Sequence, residues 1–221
     1  MNYLHIYSTK LCIYLRYFLL LFCLFLFFAC KKLVTVSAPV TANTSSTVFA
    51  SDATAISVLT GLYDKMSSGS LGNAGSFSSL SLFVGLSADE LTLYSGVTNV
   101  TALAYYRNSL SGGTAGVGSD FWITIYPYIY VCNSALEGLK SSNGLTPVVK
   151  QQLTGEALFL RALYYCYLSS LYGDVPLSLT SNYKNTESLA RSSQSQVLQQ
   201  AIDDLKSAQS LLSSTYLDGT L

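Results

Sequence analysis

Apolar residues recur at intervals of three and four over most of this chain, and the longest such pattern lies between Thr146 and Leu177. There Leu153, Ala157, Leu160, Tyr164, Tyr167 and Leu171 form one side of a helix about six turns long, and Phe159, Leu163 and Leu168 widen that side. A face this broad needs partners on more than one flank. Thr146 is placed to cap the first turn, Pro147 stands where its missing N–H costs nothing, and Gly173 supplies a left-handed exit. Asp174 and Pro176 then turn the chain into an extended segment.

The same period predicts three more helices. Ser51 or Asp52 caps one carrying Ala55, Ile56, Leu59, Leu62, Tyr63 and Met66. A second, over 120–140, carries Trp122, Ile125, Tyr126, Ile129, Tyr130, Asn133, Leu136 and Leu139. Pro127 opposes it at about 3 kcal/mol, so either the axis bends there or the regular helix starts near Pro127; the register on both sides favours a bend. The third, over 194–212, opens on a Ser193/Gln196 capping box and carries Val197, Leu198, Ala201, Ile202, Leu205, Ala208 and Leu212. Between these patterns, residues 69–118 are dense in Ser, Gly and Asn. Leu80, Leu82 and Val84 alternate as in a strand, and 102–110 reads as a short helix. A connection this long usually has a purpose.

At the amino terminus Lys10 and Arg16 precede the apolar run 17–29. That run is shorter than the roughly twenty residues a membrane-spanning helix needs and fits a secretory signal, although a span counted from Leu11 is an alternative. Cys30 stands at the boundary between apolar and polar sequence. Residues 33–48, rich in Val, Thr, Ser and Ala, read as a tether.

Composition narrows the function. Setting aside Lys10 and Arg16 leaves ten basic and twelve acidic groups, with no basic cluster beyond Lys31 and Lys32, so there is no electrostatic footprint for nucleic acid. The single histidine, His5, lies in the leader, which removes a histidine base from the body. No phosphate-binding glycine loop or metal-ligand spacing occurs, and no cofactor is implied. The adjacent pairs Asp89/Glu90 and Asp203/Asp204 point apart rather than opposing each other as glycosidase carboxylates do. Cys132 and Cys166, inside apolar helices, read as buried thiols, with a disulfide as the alternative.

The segment GEALFLRALYYCYLSSLYGDVPL resembles the signature helix of the SusD-like family, surface glycan-binding lipoproteins of Bacteroidota. Gly155, Glu156, Ala157, Phe159, Arg161, Ala162, Tyr172, Gly173, Val175 and Pro176 match in order. Trp122, Tyr126, Ile129 and Asn133 match a second family pattern, and Arg191, Ser192, Ser193, Val197, Ile202, Asp204 and Leu205 a third. Cys30 resembles the acylated cysteine of a bacterial lipoprotein box, with Phe27 where leucine is usual.

The resemblance implies a mostly α fold with tetratricopeptide-like helix pairs and a long irregular Ser/Gly-rich insertion. It implies a signal peptide over 1–29, a lipidated cysteine and tether over 30–48, and an N-terminal helical domain over 49–221, as part of a longer protein. The activity implied is non-enzymatic: capture of an oligosaccharide or other nutrient at the outer membrane and its delivery to a SusC-like TonB-dependent transporter. A scaffold binding only protein and an envelope hydrolase are the alternatives.

Candidate ligand contacts in the irregular middle are Tyr94, Asn99, Tyr105, Tyr106 and Asn108. Trp122, Tyr126, Tyr172, Gly173, Pro176 and Arg191 read as structural motif positions. Gly155 reads as a site of close helix approach. Asn133 satisfies backbone groups of a neighbouring segment or, alternatively, meets ligand. Glu156 and Arg161 read as a structural clamp, with Arg161 reaching Asp174 or carbonyls near Tyr172.

Overall fold

The computed structural model describes residues 45–69, 76–112 and 118–214, together with residues 16 and 18. The chain divides into two units, Met1–Ala42 and Asn43–Leu221. Cys30, nearly all of the predicted signal peptide and most of the predicted tether lie outside the described residues, within which no helix is long and apolar enough to cross a membrane.

The second unit is mostly helical. Helices α1 (Ser45–Val48) and α2 (Asp52–Ser67) are followed by a 3-10 turn, Phe77–Ser79, and by α3 (Leu80–Ser87) and α4 (Val100–Tyr106). The long helices are α5 (Asp120–Ser141) and α6 (Pro147–Tyr172). After α6 come β1 (Val175–Pro176), α7 (Tyr183–Thr186), β2 (Arg191–Ser192) and α8 (Gln194–Leu211). Helix α6 packs on α8 along one flank and on α5 along the other, α2 crosses both α5 and α6, and α3 pairs with α4. β1 and β2 form an antiparallel ribbon with Pro176 opposite Arg191.

Most local signals act as the sequence predicts. The Ser51 side chain accepts from Thr54 N to start α2, and Ser193 and Gln196 close a reciprocal capping box on α8. Gly173 takes φ +69°, the left-handed exit a side chain would disfavour. Helix α5 runs unbroken through Pro127, which is solvent-facing.

Four expectations are corrected. Leu80, Leu82 and Val84 belong to a helix, because Leu80, Phe83 and Leu86, spaced by three, carry its buried side. Thr146 stands at the N-cap of α6 without a side-chain cap bond; its amide donates instead to Asp52 Oδ1 at 2.9 Å. The tether ends early, since 45–48 is helical and Phe49 is buried, its ring occupying the space a Cβ on Gly138 would need. Phe159, expected in the apolar face, is 40% exposed beside Ile202 and Leu205, which are also exposed, so the outer side of α6 and α8 is uncovered among the described residues.

Two core regions result. Phe49, Ala55, Leu59, Ala135, Leu139, Val149, Leu153 and Ala157 pack where α1 and α2 meet the end of α5 and the start of α6. The larger region gathers Phe83 and Tyr105 from the α3–α4 pair with Ile125, Ile129, Tyr164, Tyr165, Leu168 and Val197. Gly155 lets α6 approach Leu211 and Leu212, since a Cβ there would stand 2.9 Å from the Leu212 side chain.

Candidate functional site

The long helices are keyed together by one buried polar cluster. Arg161 Nε and Nη2 donate to the two carboxylate oxygens of Asp204 at 2.7 and 2.8 Å, and Nη1 donates to Asn133 Oδ1 at 2.9 Å. Asn133 Nδ2 in turn donates to the Ser178 carbonyl at 3.0 Å, and Gln200 Nε2 donates to Asp204 Oδ1 at 2.9 Å. Arg161 is 7% exposed and Asp204 3%. The bidentate geometry and the additional bonds supply the compensation that a buried ion pair requires.

The partner of Arg161 is therefore Asp204, not Asp174. Thirteen residues separate Arg161 from Asp174, roughly 20 Å of helix axis, beyond an arginine's reach. Nor does Glu156 join the cluster: it accepts from Gln152 Nε2 and faces a recess shared with Tyr63 and Phe159. Asp204 was legible as an oddity, a carboxylate on the stripe of Val197, Ala201 and Ala208. Asn133 satisfies neighbouring backbone, as one of its two readings has it.

A second convergence lies at the other end of α6. Trp122, in the first turn of α5, stacks tilted against Tyr126 with ring centroids 4.9 Å apart and meets Tyr172 edge-on at 5.3 Å. The Tyr172 hydroxyl donates to the Gly118 carbonyl at 2.8 Å and accepts from Trp122 N at 3.1 Å. Tyr126 donates to the Pro176 carbonyl at 2.9 Å. Burial pushes both phenols above their usual range, so they remain neutral at physiological pH. The Arg191 guanidinium lies 5.8 Å from the Trp122 ring centroid, within cation–π range. Trp122, Tyr172 and Arg191 border an open cavity of about 540 Å³, together with Leu110, Ser111, Ile123 and Leu171.

The residues expected to contact ligand are placed as follows. Tyr94 is 75% exposed. Asn99 caps α4 through Ala102 N, and Asn108, at φ +50°, donates its amide to the Ser87 carbonyl. Tyr105 is buried with its hydroxyl on Asp120 Oδ2 at 3.2 Å, and Tyr106 is half-buried against the larger core region. The structure thus gathers Asn99, Tyr105, Tyr106 and Asn108 on and beside α4. Among the described residues no cluster of histidine, cysteine and carboxylate side chains could hold a metal ion, and Cys132 and Cys166 are free thiols.

Comparison with known proteins places this architecture. A SusD-like family described as starch-binding associating with outer membrane matches residues 45–220. SusD-like protein P25 of Formosa agariphila is 26% identical over 203 residues, covering 88% of this chain and 37% of that protein. A SusD superfamily protein from Bacteroides vulgatus superposes with a TM-score of 0.62 at 26% identity, over 76% of this chain and 36% of that one. A SusD-like carbohydrate binding protein from the same organism gives 0.59 at 25% identity, over 77% and 37%. The chain spans little more than a third of the length of these relatives. The family match spans most of the chain, and the chain belongs to the SusD-like family.

Proposed function

We propose that this protein captures an oligosaccharide, or another nutrient, at the outer membrane without chemical conversion and passes it to a SusC-like TonB-dependent transporter. The observation that carries the reading is the family match over residues 45–220, a family described as starch-binding associating with outer membrane. A solved relative with this fold is titled a carbohydrate binding protein. The chemistry of the exposed aromatic and amide groups agrees: aromatic faces stack on sugar C–H surfaces, and amides meet hydroxyls. Tyr94 and, on and beside α4, Asn99, Tyr106 and Asn108 remain the proposed contacts, whereas Tyr105 is buried in the core and supports them from behind.

In this reading residues 1–29 direct export, acylated Cys30 anchors the chain, and 30–44 space the body from the lipid. Acyl chains contribute about 0.8 kcal/mol per buried methylene, so multiple acylation gives a firm anchor. The helical body, with tetratricopeptide-like pairs, then supports both ligand and transporter contacts.

Purification of the tagged protein from native outer membranes tests this. A β-barrel transporter should co-purify, and the isolated protein should retain oligosaccharides on a glycan array. Co-purification without glycan binding would favour the protein-only scaffold, and recovery in the soluble fraction without lipid on Cys30 would defeat the anchoring.

A further inference from the structure

The cavity beside Trp122 carries its charge in one place. Among the described residues that line it, Leu110, Ile123 and Leu171 are apolar, Ser111 and Ser119 are neutral, and Arg191 is the only charged side chain. The protein neutralises its other family-motif arginine, Arg161, with a bidentate carboxylate. Arg191 receives no such partner among the described residues. Its guanidinium makes one hydrogen bond among the described residues, from Nη1 to the Asp174 carbonyl at 3.3 Å, which leaves most of its N–H donors open.

The nearby carboxylates are occupied elsewhere. Asp120 Oδ2 accepts from Gly118 N and from the Tyr105 hydroxyl, and Asp174 Oδ1 accepts from Gln194 N. Neither lines the cavity.

We propose that this cavity binds the acidic unit of an oligosaccharide, a sugar ring bearing a carboxylate or a sulfate ester. Arg191 takes the anion, and the aromatic wall of Trp122 and Tyr172 takes the ring. A guanidinium presents a planar fork of donors that matches such an oxyanion, and stacking on an indole orients it without removing its charge. The wall is held in place before any ligand arrives, because both hydrogen bonds of the Tyr172 hydroxyl go to backbone at the start of α5. A volume near 540 Å³ falls within the range of small-ligand sites. Ser111 and Ser119 line the same cavity, where hydroxyl-rich ligands find polar neighbours. The assignment rests on the sugar-capture reading and adds to it the charge of the ligand.

The test is an array of neutral, uronate-bearing and sulfated oligosaccharides probed with the intact protein, R191K and R191Q. Arg191 is exposed, so R191Q should melt with the wild type. Expected are acidic hits, of uronate or sulfate type, that weaken about tenfold or more in R191Q, keep part of their strength in R191K, and fade as salt is raised. Neutral hits only, or acidic hits unchanged in R191Q, would overturn the assignment and leave sugar capture standing. If no glycan binds at all, the capture reading and this assignment fall together.

Discussion

Arg161 and Arg191 both stand in segments that resemble family patterns, yet the molecule treats them oppositely. The first sits between α5, α6 and α8 with its donors on Asp204 and Asn133, and water has little access. The second lies at the surface on a two-residue strand, over a tryptophan, with one carbonyl for company. An arginine whose donors are consumed by protein fixes geometry; one whose donors are left open is available to something else. The contrast separates the part of the chain that defines the fold from the part that can meet a ligand.

The largest effect should come from breaking the buried side. Arg161→Ala leaves Asp204 buried without a counter-charge and should cost about 3–5 kcal/mol in denaturant unfolding. Replacing both partners, as Arg161→Met with Asp204→Leu, should recover a good part of that loss. An Arg161→Ala protein of native stability that failed only in ligand binding would erase the distinction drawn between the two arginines.

Asn133→Leu should follow, at about 1–3 kcal/mol, because it orphans an Arg161 donor, while the Ser178 carbonyl keeps its bond from the Tyr165 hydroxyl. The cysteines sharpen the contrast between inside and edge. Burial pushes the Cys132 thiol up to about 12, so in the folded protein at neutral pH iodoacetamide should modify half-buried Cys166 first and Cys132 only after unfolding. Mass spectrometry with and without denaturant reads this directly.

Arg191→Gln should change stability by no more than about 0.5 kcal/mol, since the side chain is exposed and the β1–β2 pairing uses its backbone. The smallest effect concerns Glu137. Burial alone would raise its pKa, but hydrogen bonds from Ser181 and Thr180 outweigh that and hold it below the usual 4.5. A depressed carboxylate stabilises above its unfolded value and loses that contribution as pH falls through the folded one. The protection of the Ser181 amide against exchange, relative to its intrinsic rate, should therefore hold at neutral pH and fall only below about pH 4.5, since that N–H donates to Glu137.

The helical body was legible because its signals are local. The Ser193/Gln196 box, Pro147 at the start of α6 and Gly173 at its end each act within a turn. What escaped was set by distant chain. The partner of Arg161 is 43 residues away, and only the lone carboxylate on the α8 stripe hinted at it. Helix α3 was misread because so short a segment, eight residues with five of them large and apolar, fits two periods, and its packing against α4 chose between them. The exposure of Phe159 escaped for the same reason, since periodicity marks an apolar face and says nothing of what covers it. Of the aromatic cavity, Trp122, Tyr172 and Arg191 were each singled out, but nothing in their spacing said that α5, α6 and β2 would bring them together.

The segment between β1 and α7 is gripped chiefly by its main chain. Tyr165 donates to the Ser178 carbonyl and accepts from the Ser178 amide, Asn133 holds the same carbonyl, and Glu137 accepts from the amide of Ser181. The responsibility for its path therefore rests with three side chains on neighbouring helices. Leu179, whose side chain is exposed, could be exchanged for many other residues without the route changing, which makes that position a natural place to carry a label.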